Sequence, residues 1–487
     1  MNRHKLLQSA AALLLSAALA LSGVPPTFAA PPTNDNFASA ALVSATPFSD
    51  SVDNTEATVE NGEPGACNWP YRSLWYSFTP SVTGFVRAGL SNSPYGAFIV
   101  VYQDTGAGLG GLAFVGCAPY YNTPPSVVFN AQAGTTYYVQ VAHAWDSPGT
   151  LTFQLNSVPP PANDNFGEAA SISALPFSGA VDTVAATREA GEPVALCESN
   201  PQSGTAWYAF TPAASGSISA SVFNAPFSTF VAAYTGSSLN SLSPVGCRNY
   251  GRLTFRAEAG VTYYFQVGGL YGQGGPLTFT LEVAPAPVAN FGFSPGDPSV
   301  FDTLQFYDFS YDPGEVGIQS QAWNFGDGAT ATGCCPTHRY AADGDYTVQH
   351  TVTTFDGRRA SASQVVQVRT HDVAITKLTV PKTARSGVTR EISVAVRNTR
   401  YPETVQVQLF KSVPGASGTF VLVGTLTLYV PVRSANQTTP FVFSYTFTSE
   451  DANMGKVTFK AVATIVNARD ALPADNEAVA PPTRVSR

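Results

Sequence analysis

The sequence predicts an all-β protein built from four tandem β-sandwiches. Three observations carry that expectation. Apolar and polar residues alternate with a period of two, between clusters of Gly, Pro, Asn and Ser. No segment beyond residue 29 sustains a helical period. A block of the chain is written twice, which means two copies of one folded unit.

The duplication is read from motifs. Asn34-Asp35-Asn36-Phe37 returns as Asn163-Asp164-Asn165-Phe166, and Trp75-Tyr76-Ser77-Phe78-Thr79-Pro80 as Trp207-Tyr208-Ala209-Phe210-Thr211-Pro212. Tyr137-Tyr138-Val139-Gln140-Val141 returns as Tyr263-Tyr264-Phe265-Gln266-Val267. The offset drifts between motifs, as small insertions in loops produce and core strands do not tolerate. In the second copy the Tyr263, Phe265, Val267 face is the more apolar, which assigns it and its match Tyr137, Val139, Val141 to the core. Each copy holds two cysteines 50 residues apart. The simplest bridges are therefore Cys67 to Cys117 and Cys197 to Cys247. Cys334 and Cys335 are adjacent, and three states stay open for them: a vicinal disulfide, free thiols, or a bridge between chains.

Residues 1–29 read as a secretory signal peptide. Arg3, His4 and Lys5 precede the apolar run Ala10 to Leu21, and Thr27-Phe28-Ala29 offers small residues for cleavage. No later stretch is long and apolar enough to suggest a transmembrane segment. The remainder is expected to be secreted, extracellular or held at a cell surface, where paired cysteines persist. Charge is uneven: residues 34–369 hold 25 acids and 10 bases, residues 370–487 hold 8 acids and 13 bases. A basic end could dock on an anionic surface or simply solvate one sandwich face. No basic patch interleaved with aromatics occurs in the acidic part, so no nucleic acid partner is expected.

Four units follow. Residues 34–156 and 163–283 are the repeats, joined by the stiff spacer Val158-Pro159-Pro160-Pro161. Their Trp-Tyr-x-Phe-Thr-Pro strand, the Ala-x-Ala-Gly-x-Thr-Tyr-Tyr pattern at 131–138 and 257–264, and the closing Leu-Thr-Phe strand resemble the bacterial pre-peptidase C-terminal (PPC-like) domain. The resemblance implies a jelly-roll-like sandwich appended to secreted enzymes and surface proteins, with no catalytic residues to carry over. In residues 287–369, Trp323-Asn324-Phe325-Gly326-Asp327-Gly328 is followed by Pro336, His338, Tyr340, Gly344, Tyr346 and Val348. That pattern resembles the signature of a PKD domain and implies an immunoglobulin-like sandwich used for protein or polysaccharide contacts. Gly326 and Gly328 supply the positive φ of a hairpin turn. Residues 371–480 loosely resemble the CARDB-like immunoglobulin-like fold, through Asp372-Val373-Ala374-Ile375, Val394-Ala395-Val396-Arg397-Asn398, and the late Asp470 and Asp475-Asn476. The tail after Ala480 is expected to fray.

Catalytic constellations are missing from the sequence. It holds no Gly-x-Ser-x-Gly elbow, no His-Glu-x-x-His pair and no phosphate-cradling loop. His143 is placed in a loop with no nucleophile beside it, and the pair Glu189/Glu192 cannot be judged without its separation. Calcium is the one cofactor considered, with Asp308 and Asp312 flanking Ser310 as oxygen ligands; the other reading makes them turn-forming residues before Gly314. The Asx residues of the Asn34-Asp35-Asn36 motif are expected to cap the turn entering the first strand.

Aromatic residues carry the functional expectation. Trp69 and Tyr71 follow Cys67, Tyr120 and Tyr121 follow Cys117, and Trp145 aligns with Tyr271 in a loop after the Tyr-Tyr strand. Such rings stack on sugars or grip proteins, or they shield the bridge and cap the sandwich. The reading is a non-catalytic extracellular interaction protein for adhesion, or for binding polysaccharide or a cell-surface protein, with Trp69, Trp145 and Tyr271 as candidate ligand contacts. The alternatives are an accessory binding protein for secreted peptidases or polysaccharide-degrading enzymes, and an uncatalogued secreted hydrolase.

Overall fold

The computed structural model describes residues 30–487 except 94–95, 123, 199–200 and 414–417. The signal-peptide expectation falls on residues 1–29, outside the described residues. The chain is all-β and forms four tandem sandwiches, two jelly-roll-like and two immunoglobulin-like. Each has its own buried cluster.

The two repeats have the same topology. In the first, a five-stranded sheet runs in the order Ala41–Val43, Tyr71–Phe78, Tyr137–His143, Ala97–Gln103, Ala113–Ala118. It faces a four-stranded sheet ordered Phe48–Asp53, Thr150–Val158, Gly84–Asn92, Ser126–Ala131. The second repeat reproduces both orders, with Thr205–Phe210 and Tyr263–Gly269 central in its larger sheet. Tyr76, Val139, Val141 and Phe153 fill the space between the sheets, as do Tyr208, Phe265, Val267 and Phe279.

The larger sheet is buried on its second face as well. Trp75, Phe98, Val100 and Gln140 are fully buried there, and Trp207, Phe230, Ala232 and Gln266 match them. The cover is the N-terminal segment together with the loop that leads into the Trp-Tyr strand. Asn34 pairs with Trp75 in both directions, its side chain donating to the Trp75 carbonyl at 3.2 Å. Asp35 accepts from the Thr58 amide and hydroxyl at 2.5 and 2.7 Å. Phe37 sets its ring edge-on to Trp75 at 5.3 Å and tilts over Tyr138 at 4.4 Å. Asn163, Asp164 and Phe166 repeat all of these contacts. The Asn-Asp-Asn-Phe motif is therefore a long-range clamp, which corrects its expected role as a local turn cap.

The third sandwich packs Phe291–Ser294, Leu304–Asp308 and Thr337–His338 against a four-stranded sheet built on Ile318–Asn324 and Gly344–Thr354. Trp323 and Phe325 enter its core, and Gly326 and Gly328 hold the positive φ that the hairpin needs. The fourth closes around Val394, Val407 and Phe459. Its tail does not fray: Thr483–Ser486 pairs with Thr383–Arg385 and Lys456–Val457, and Val485 enters the core. Alternate Thr483 and Val485 are buried, a pattern too short to stand out in the sequence.

Junctions differ. The second and third sandwiches are tied by Arg248 donating to the Glu315 carbonyl, the Arg252 amide donating to Glu315, and Ser217 donating to the Asp356 carbonyl. Arg469 pairs with Asp302, and Tyr401 donates to Asp343, between the third and fourth. No hydrogen bond among the described residues joins the first repeat to the second.

If the buried Asp35 clamps the N-terminal segment, Asp35→Ala removes its two hydrogen bonds from the exposed Thr58, whose donors can turn to water, and should cost the first repeat about 1–2 kcal/mol. Amide hydrogen exchange reads this as faster opening of the Tyr71–Phe78 strand, with Thr205–Phe210 unchanged as an internal reference.

Candidate binding surface

One end of the first repeat gathers most of its exposed aromatics. Cys67 and Cys117 are bonded, and the bridge ties the covering loop to the edge strand Ala113–Ala118. Cys197 and Cys247 are bonded in the same place in the second repeat. Next to the first bridge, Trp69 is 75% exposed and lies flat enough on Gly65 that an added Cβ would stand 3.1 Å from the indole. Trp145 lies over Gly96 in the same way, with Nε1 2.8 Å from where a Cβ would be. Both glycines make room for a ring. Trp145 meets Tyr120 edge-on at 4.8 Å, and Tyr120 meets Tyr121 at 5.4 Å. Tyr71 is also exposed and sits opposite His143 in the strand ladder.

The loop that carries Trp145 is fastened. Ala144 donates to the Gly96 carbonyl, Ser147 to the Trp145 carbonyl, and Arg72 pairs with Asp146. The Arg72 hydrogen bond holds the Asp146 carboxyl below the usual range. The rings are thus presented on an anchored surface, which lowers the entropy a ligand must remove on binding.

His143 is not in that loop. It ends the Tyr137–His143 strand and is fully buried. Asn54 donates to the Arg72 carbonyl at 3.0 Å and stands 3.0 Å from His143 Nδ1, while its own oxygen accepts from the Gly149 amide. Burial, and then the charge of Arg72, push the imidazole down to about 4. It is neutral at neutral pH and supports the strand end beneath the rings. Glu189 and Glu192 are structural too: Glu189 accepts from the Phe166 amide and Glu192 from Gln266.

The second repeat lacks the cluster. Glu198 follows Cys197 where Trp69's neighbourhood would begin, and it is buried in a two-pronged pair with Arg188 at 2.8 Å. Tyr271 is exposed with a left-handed φ of 59°. Tyr250 stands where Tyr120 does, but its hydroxyl bonds Ser228 and its ring does not meet Tyr271. Trp69 and Trp145 therefore belong to one end of one repeat, and Tyr271 does not extend that surface.

Asp308 and Asp312 do not converge. Asp312 takes both Arg358 nitrogens at 2.8 and 2.9 Å and the amides of Gly314, Val316 and Gly317. Asp308 accepts from the Ser310 amide and Gln321. Burial alone would raise the Asp312 carboxyl, but its Arg358 bonds outweigh this and hold it low. A guanidinium occupies the place a calcium ion would need, so this geometry corrects the calcium expectation in favour of the turn-forming one. Among the described residues no three His, Cys, Asp or Glu side chains could hold a metal. Cys334 and Cys335 are exposed free thiols. Sequence reasoning missed one feature: Tyr307, near the end of the Leu304–Asp308 strand, and Phe309 and Tyr311, just beyond it, expose alternate rings, with Phe309 laid over Gly292. The alternation Tyr-Asp-Phe-Ser-Tyr was the available signal.

Residues 284–370 match the family model of the PKD domain. The chain contains a PKD domain. A microbial collagenase from Vibrio alginolyticus is 43% identical over 51 residues, 10% of this chain and 6% of the collagenase, so the chain spans only a small part of that relative. The PKD1 domain from the Vibrio cholerae metalloprotease PrtV is 32% identical and is covered completely by 18% of this chain, with a TM-score of 0.16. A structure described as a carbohydrate-binding module of the β-sandwich superfamily is 18% identical, covering 40% of this chain and 95% of its own, with a TM-score of 0.18. No helix among the described residues is long and apolar enough to cross a membrane.

Two outcomes follow. Burial, with the Arg72 charge, pushes the folded His143 down to about 4 from its ordinary 6.5, so the unfolded chain takes up the proton first. Stability is therefore undiminished by this group above pH 6.5 and declines as pH falls towards 4. Hydrogen exchange of the first repeat should show that decline, and His143→Asn should flatten it; identical slopes refute the assignment. Asp312→Ala should destabilise the PKD domain by about 3 kcal/mol, because Arg358 loses a buried partner. Calorimetry with calcium should give the same baseline heats for both proteins.

Proposed function

We propose that this is an exported, non-catalytic binding protein whose first repeat engages polysaccharide or cell-surface material through Trp69, Tyr71, Tyr120, Tyr121 and Trp145. One observation carries the reading: exposed rings are clustered beside a disulfide, seated on two glycines and fastened by the Arg72–Asp146 pair. Flat rings with nearby amide, carboxylate and guanidinium groups suit the C–H faces and hydroxyls of sugars. Residues 34–156 and 163–283 are read as PPC-like repeats, and 371–480, with the added Thr483–Ser486 strand, as a CARDB-like domain. The PKD domain and the two remaining sandwiches then act as spacers and further contact surfaces outside the cell. A second reading has one supporting observation, the collagenase match. On it, the chain is an accessory binding protein for a secreted peptidase.

Retention on insoluble glucan, chitin and isolated cell walls tests the main reading. The wild-type chain should be held by at least one matrix, and Trp69→Ala with Trp145→Ala should reduce retention at least about tenfold, as the loss of two stacking rings implies. Equal retention by the double variant removes this surface from the function.

A further inference from the structure

At the other end of the first repeat a cleft of about 810 Å³ opens between the sandwich, the proline spacer and Thr187 of the second repeat. The Tyr71–Phe78 strand runs from the ring cluster to this cleft, so the two lie about 25 Å apart at the ordinary rise per residue. We infer that this inter-repeat cleft binds a neutral saccharide segment, distinct from the ring surface. The inference rests on the reading of the chain as a polysaccharide binder and names a second site for it.

Three features of the cleft support this. No lining residue is ionisable, although charged residues make up 12% of the chain. An ionised ligand would shed water there and meet no counter-charge, which selects a neutral one. Apolar surface from Phe78, Phe85 and Val86 is rimmed by the hydroxyls of Ser44 and Ser81 and the amide of Asn130. That mixture matches a ligand with apolar faces and hydroxyl edges. The duplication supplies the third feature. Ser217 occupies in the second repeat the position of Phe85 in the first, and there it donates to the Asp356 carbonyl of the PKD domain. The same end of the fold is thus covered by the following domain in one copy. In the other copy the following domain contributes Thr187 and no hydrogen bond. A ligand seated there would touch both repeats and fix their mutual angle.

The test uses calorimetric titration of the whole secreted chain with neutral hexasaccharides of glucose, xylose and N-acetylglucosamine, and with hexagalacturonate as an anionic control. Val82 stands at the mouth and is largely exposed, so Val82→Glu should fold normally while placing a carboxylate at the entrance. At least one neutral sugar should bind wild type and Trp145→Ala alike, and Val82→Glu or Phe85→Ala should weaken it at least about tenfold. Hexagalacturonate should not bind. Loss of binding in Trp145→Ala but not in Val82→Glu assigns the sugar to the rings and overturns the cleft while leaving the proposed function standing. Tighter binding of the anionic sugar, or binding of no neutral sugar, also overturns it. Matrix retention that depends on Trp69 and Trp145 judges the broader reading separately.

Discussion

Each repeat is organised around a glutamate buried against the outer face of its larger sheet. Glu63 accepts from Ser73, Gln140 and the Glu60 amide, with the Trp75 indole at 3.4 Å. Glu192 accepts from Thr205, Gln266 and the Glu189 amide. Among the described residues no cation forms an ion pair with either carboxylate. Such a group is tolerated in an interior only when its lone pairs are filled, and the donors here come from the strand, the sheet centre and the covering loop at once. Burial pushes the Glu192 carboxyl up, and the hydrogen bonds pull it only part of the way back. The covering loop cannot leave without stranding the charge, so a segment with little regular structure is held as firmly as a strand.

The ring surface follows from that restraint. With the loop pinned at Glu63 and at the Cys67–Cys117 bridge, Trp69 is set beside the start of the Tyr71–Phe78 strand, where Arg72 fastens the Trp145 loop. The second repeat keeps the glutamate, the clamp and the bridge, yet uses the equivalent space for the buried Arg188–Glu198 pair. A shared scaffold therefore carries different ends, and conserved topology between the copies says nothing about a shared ligand.

Much of the fold was legible locally. Period-two alternation marked Tyr137, Val139 and Val141 as core, and the equal cysteine spacing marked both bridges. The alternation was misleading where a sheet is buried twice: Trp75 and Gln140 lie on the face that a two-layer sandwich would leave to water. His143 read as a loop residue because Trp145 and Asp146 follow it closely, but ladder pairing with Tyr71 and Ala97 extends the strand to it. Asp308 and Asp312 looked like metal ligands because spacing along a chain does not reveal that Arg358, 46 residues later, takes both oxygens of Asp312.

By itself the sequence determined the all-β class, the duplication, the cysteine pairing and the residue types available for binding, since these depend on periodicity, repetition and composition. Only the tertiary structure decided which charges were neutralised, which rings met and which faces stayed open. Those outcomes depend on contacts between residues tens to more than a hundred positions apart, such as Asn54 with His143 and Ser217 with Asp356, and no local pattern encodes the direction in which two distant side chains point.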